Sequence, residues 1–102
     1  MIGANRVEIS GRLIELEGLR YTPYGIPIVR FLISHQSEQQ EAGATRKVDC
    51  ELGVVAVERE AHLVASAKLG AELVATGFLD RKSRNGLQLT LHATHIEFKN
   101  QD

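Results

Sequence analysis

The sequence predicts an all-β domain: a small closed barrel of five strands, with one helix between the third and fourth. Three observations carry that prediction. Apolar and polar residues alternate with period two in five separate stretches. One stretch alone, between the third and fourth of these, switches to helical spacing. Glycine, proline and asparagine punctuate the intervals. At 102 residues the chain has the length of one domain, expected to span the whole sequence with a core over about 5–98. A chain of that length buries enough surface to dispense with disulfides or metal.

The first strand runs from Asn5 to Leu13, with Val7, Ile9, Gly11 and Leu13 on one face and Arg6, Glu8, Ser10 and Arg12 on the other. Gly11 within it signals a bulge or a sharp bend. Glu17 to Pro27 collects two glycines and both prolines, and reads as a loop. Ile28 to His35 is the second strand. Val29, Phe31 and Ile33 share its inner face, and Ile28 and Leu32 leave the other side partly apolar. The polar stretch Ser37 to Thr45 reads as a flexible loop. Alternation returns from Arg46, with Val48, Cys50, Leu52 and Val54 inward and Lys47, Asp49 and Glu51 outward.

Val57 to Leu69 is the helical stretch, with Ala61, Val64, Ala65 and Lys68 at helix spacing and Gly70 as its C-cap. Glu58 and Glu60 give the helix start a favourable first-turn charge. The fourth strand sets Val74, Thr76 and Phe78 against Leu73, Ala75, Gly77 and Leu79. Asn85-Gly86 follows as a hairpin turn signal. The fifth strand carries Leu87, Leu89, Leu91 and Ala93 on one face, and the shift to Ile96 and Phe98 implies a bulge. Five strands, a bend in the first and a helix after the third make the layout of an OB-fold, a Greek-key barrel. An SH3-like barrel is the competing topology, but it rarely holds a helix at that place.

Composition narrows the function classes. Twelve Lys+Arg against thirteen Asp+Glu give a net charge of −1, and five aromatics without tryptophan leave few bases for stacking. Composition alone therefore argues against a strong nucleic-acid binder. One cysteine excludes an internal disulfide framework and fits a reducing compartment. No apolar run reaches a membrane span and no signal-peptide core is present, so a soluble cytoplasmic protein is expected. No P-loop, nucleophile elbow or other catalytic constellation occurs, and an enzyme is not expected. His92 and His95 lie on opposite faces of a strand unless a bulge reorients one, so no metal or other cofactor is expected. Cys50 shares parity with Val48 and Leu52 and reads as buried.

Two stretches carry a resemblance. Asn5-Arg6-Val7-Glu8-Ile9-Ser10-Gly11-Arg12-Leu13 and Gly70 to Leu79 resemble the bacterial single-stranded-DNA-binding proteins. Those proteins continue into a glycine-rich tail; the sequence here runs to Asp102, just after the last strand, and no such tail is expected. Its length, its Asn85-Gly86-Leu87 turn and its Leu91-His92-Ala93 with Ile96-Glu97 look like the tail-less primosomal replication branch of that family. The resemblance implies OB-fold homodimers without enzymatic activity. It implies that they bind single-stranded DNA in replication restart, and work with the helicase PriA and with DnaT. Residue by residue, Lys82 and Arg84 fall where such proteins carry DNA-contacting lysines, and Arg20 at another basic position. Asp49 stands where they carry a stacking tryptophan, Ala44 where they carry an aromatic, and Gln36 where they carry a basic residue. Weaker binding or a different footprint follows from those departures.

Single strands are held by a positive groove along the backbone and aromatic platforms for the bases. Arg12, Arg20, Arg30, Lys47, Arg81, Lys82 and Arg84 are the candidates for the groove, and Tyr21 and Tyr24 for the platform. The plainer readings are a solvated hairpin tip for Arg81–Arg84, and tyrosines that anchor a loop over the barrel mouth. Two rival functions are a protein-interaction adaptor, favoured by Asp49 and the acidic Glu38–Glu41 stretch, and an RNA-binding module. The long alternating first strand leaves an edge that tends to find a partner.

Overall fold

The computed structural model describes residues 2–99. Seven elements follow one another: β1 (Val7–Leu16), β2 (Arg20–Tyr21), β3 (Pro27–Glu41), β4 (Ala44–Val57), α1 (Glu58–Ala65), β5 (Glu72–Arg81) and β6 (Leu89–Phe98). The sheet order is β1-β5-β6-β4-β3-β2, and an extra β1–β3 pairing closes the five long strands into a barrel. Every pairing is antiparallel except β4–β6, which joins Val54–Ala56 to Leu91–Ala93 in parallel. This is the OB-fold layout that the alternating stretches predict.

The inward residues of the alternation make the core. Leu13, Val29, Phe31, Ile33, Val54, Ala56, Leu73, Ala75, Leu91, Ala93 and Ile96 fill the barrel, and Ala61 and Val64 of α1 pack against them. Closing so small a barrel demands strand coiling, and β1 supplies it. Its residues 7–12 pair with β5 and its residues 12–16 with β3. Gly11 sits at that transfer, where a Cβ would lie 3.0 Å from both Ile33 Cβ and the Ser34 carbonyl. The bend expected at Gly11 is present, and the bulge itself falls at Ile14, between Leu13↔Ile33 and Glu15↔Leu32. The parity change in β6 is a bulge at Thr94, because Thr76 pairs with His95 while Gly77 pairs with Ala93.

Several expectations need correction. Ser37 to Thr45 is not a loop: β3 and β4 pair without interruption out to Glu41↔Ala44. Ala42 (φ 53°) and Gly43 (φ 79°) make a two-residue turn with both residues left-handed. The two strands thus project as an arm past the barrel, and there both faces meet water. That explains why residues 37–45 lack alternation, and why Cys50, expected inside from its parity, is exposed. Asn85-Gly86 is not a two-residue hairpin turn. A seven-residue segment, 82–88, joins β5 to β6, and its turn spans Ser83–Gly86, with the Gly86 amide bonded to the Ser83 carbonyl. Neither Asn85 nor Gly86 has positive φ.

The helix is shorter than its apolar stripe, ending at Ala65 with Ser66 as C-cap. Gly70, with φ +92°, lies beyond the helix, and its amide instead bonds the Leu13 carbonyl. Glu58 and Glu60 stand in the first turn of the helix as expected, and Glu60 is also buried. One carboxylate oxygen accepts the Ile96 amide at 3.1 Å, and Arg59 bonds both oxygens. Among the described residues no helix is long and apolar enough to cross a membrane.

Candidate nucleic-acid interface

The outward residues of β1, β3 and β4 form one wall of the barrel. The register places Arg12 beside Ser34 and Glu51, Glu15 beside Leu32 and Gly53, Gln36 beside Asp49, and Glu38 beside Lys47. Against this wall, the start of β6 and the 82–88 segment enclose a cleft of about 370 Å³. Arg30 and Lys82 line it together with Glu15, Glu17, Glu51, Leu32, Leu89 and Thr90. Thr90 donates its hydroxyl to the Gly53 carbonyl at 3.0 Å, which ties β6 to β4 at the cleft floor.

The remaining candidates distribute around that cleft. Arg81 ends β5, and its guanidinium donates to the Arg84 carbonyl at 2.8 Å, which braces the segment. Lys82 and Arg84 are exposed, and neither forms an ion pair among the described residues. Arg20 is exposed but bonds Glu17, a cleft residue, at 3.3 Å. Tyr21 pairs with Pro27 in the short β2–β3 ladder and is 62% exposed. Tyr24 stands at the tip of the Thr22–Gly25 turn, closed by the Gly25 amide on the Thr22 carbonyl, and is 92% exposed. Arg12 and Lys47 share the outer wall but lie outside the cleft, Lys47 on the arm opposite Glu38.

The structure therefore brings Arg30 and Lys82 into one cleft, with Arg84 beside it, and spreads the rest. Sequence reasoning missed the carboxylates of the same cleft. Glu15, Glu17 and Glu51 leave it mixed in charge, and only outward parity hinted at this for Glu51. It also missed the pairing of Phe78 with His92, whose rings stack with centroids 5.0 Å apart. The Thr94 bulge puts His92 and His95 on one face, opposite Phe78 and Thr76. No group of three His, Cys, Asp or Glu side chains among the described residues is arranged to hold a metal ion.

Comparisons with known proteins agree with this architecture. A family model described as another single-strand binding protein family matches residues 5–95. Replication restart protein PriB of Nitrosomonas europaea is 40% identical over 91 residues, covering 89% of this chain and 84% of the relative. That of Yersinia pestis is 37% identical over 101 residues, covering 96% and 95%. The solved structure of the protein PriB from Ralstonia solanacearum gives a TM-score of 0.85 at 31% identity, covering 95% of this chain and 100% of that one. Matched by the family model over residues 5–95 and by relatives over nearly its full length, the chain belongs to this single-strand binding protein family, with the PriB replication restart proteins.

Proposed function

We propose that the chain binds single-stranded DNA as a homodimer in replication restart, and that it recruits or stimulates the helicase PriA, with DnaT as a further partner. One observation carries the DNA reading. Lys82 and Arg84 are solvent-exposed cations without ion-pair partners among the described residues, and Lys82 shares its cleft with Arg30. Those charges are available to phosphates, and the exposed Tyr21 and Tyr24 are available to bases. Support for the dimer comes from β1. Among the described residues it pairs before Arg12 with β5 alone, which leaves its second edge open over 7–11, apart from the Ser10 carbonyl that accepts the His35 ring N–H at 2.7 Å.

Anisotropy of a labelled oligo-dT at several salt concentrations tests the reading. Binding is expected to weaken steeply with salt, and replacing both Lys82 and Arg84 by Ala to flatten the log–log slope by about 1.4, at about 0.7 per phosphate. An unchanged slope would remove these residues from the site. Light scattering is expected to give twice the 11.3 kDa chain mass; a monomer would overturn the dimer.

The carboxylates Glu15, Glu17 and Glu51 in the cleft favour a second reading, an adaptor that grips a protein and binds DNA only marginally. On that reading oligonucleotide binding fails to saturate, and Glu15→Gln with Glu51→Gln reduces PriA stimulation.

A further inference from the structure

The outer wall beside the cleft carries an aromatic pair that the DNA reading does not use. Phe78 of β5 and His92 of β6 are register partners, with ring centroids 5.0 Å apart and planes within 2° of parallel. Both point away from the core, since their strand neighbours Gly77, Leu91 and Ala93 are buried. Phe78 remains 41% exposed. With His92 against one face of its ring, Phe78 is held in a fixed orientation on a rigid strand.

The pair is continuous with the cleft. Register aligns Arg30 of β3 with Val55 of β4, Val55 with His92, and His92 with Phe78. This row crosses three strand spacings, about 14 Å, and starts at a residue lining the cleft. Val55, in the middle of the row, is only 4% exposed although it points outward. A second cation borders the other end. The Asn5 side chain accepts the Leu79 amide at 2.9 Å and donates to the Leu79 carbonyl at 2.8 Å. It thereby extends the β1–β5 register two residues beyond Val7↔Gly77, which puts the intervening Arg6 level with Phe78. Neither Arg6 nor Arg30 forms an ion pair among the described residues.

We infer that Phe78, backed by His92, is a base-stacking platform that carries the bound single strand out of the cleft onto the β5–β6 wall, with Arg6 and Arg30 taking the flanking phosphates. The inference rests on the reading that the cleft binds single-stranded DNA. The plainer role for the pair is to shield Val55, which any apolar side chain of similar size would do. Leucine at 78 would keep that shield but offers no π-face.

The test uses the full chain, which contains no tryptophan. Phe78→Trp installs a selective fluorophore at the platform, and Leu69→Trp installs one at an exposed position outside the cleft and the row. Wild type and Phe78→Leu are titrated with dT oligomers of about 5 and about 15 nucleotides, the span of site sizes of one such barrel. The expected result is that DNA quenches the fluorescence of the Phe78→Trp variant and leaves that of Leu69→Trp unchanged. Phe78→Leu is expected to bind the longer oligomer about tenfold more weakly, with little change for the shorter. If the wild type binds both oligomers while the indole of Phe78→Trp stays unquenched and Phe78→Leu binds both as tightly, the platform is overturned and the cleft stands. If the wild type binds neither, the cleft reading fails and the platform with it.

Discussion

At Gly77 a Cβ would collide with the carbonyl of His92 on the neighbouring strand, whereas at Gly53 it would meet only the Thr90 hydroxyl, at 3.9 Å. Gly77 lies on the inward side of its strand and Gly53 on the outward side of its own, and only the packed barrel shows how closely another backbone approaches Gly77. Gly77→Ala is expected to cost about 3 kcal/mol or prevent folding, while Gly53→Ala stays within about 0.5 kcal/mol, both by urea denaturation. Glu60 is a second residue whose role the sequence hides. Its place beside Glu58 and Arg59 shows only a first-turn charge, and the fold adds that its carboxylate accepts the Ile96 amide of β6. Glu60→Ala leaves that amide without its partner and is expected to cost roughly 1–3 kcal/mol, with Glu60→Gln milder because an amide oxygen still accepts. Cys50 reverses its expectation for the opposite reason. Its parity is inward, but the barrel does not extend far enough along β4 to cover it, so one equivalent of thiol reagent is expected to react with the native protein.

Among the elements, the strands that line the barrel were legible because each has one wet and one dry face. The alternation of β1 and β5 matches their burial, and that of β6 does so from Leu91 on. Leu87 and Leu89, expected on the same face, are exposed because they precede the part of the strand that the barrel covers. The parity shift in β6 located the Thr94 bulge within a residue or two. The β3–β4 arm was not legible, since a ribbon wet on both faces has no reason to alternate. Its turn was hidden as well, because Ala42 is an unusual choice for a left-handed position. Ala42→Gly removes that strain, about 1 kcal/mol, against a smaller entropic cost in the unfolded chain. A net gain of about 0.5 kcal/mol in unfolding free energy is expected by urea denaturation, and a loss would mean that the turn is not strained there. The Asn85-Gly86 signal misled for the converse reason. The pair suits a tight turn, but the seven-residue segment uses Gly86 as the last residue of an ordinary turn, where positive φ is not required.

Over the whole molecule, the net charge of −1 conceals an uneven distribution. Lys82 and Arg84 stand at one lip of a cleft whose lining holds three glutamates, and Asp49 adds a negative charge farther along the same wall. Asp49→Lys is expected to strengthen oligonucleotide binding and steepen its salt dependence by up to about 0.7 in slope, read in the same anisotropy titration. No change would place Asp49 off the strand's path. Residue type and spacing were enough to give the strand and helix order, the inward residues, the two distortions in β1 and β6, and the basic segment after β5, because each of these leaves a local mark. What barrel closure brings together became visible only in the folded chain. Arg30 and Lys82 are 52 positions apart in sequence and share a cleft, Phe78 meets His92 across a ladder, and Glu60 reaches an amide 36 residues away. Such meetings follow from register and barrel curvature, which depend on all strands at once and leave no trace in any single segment.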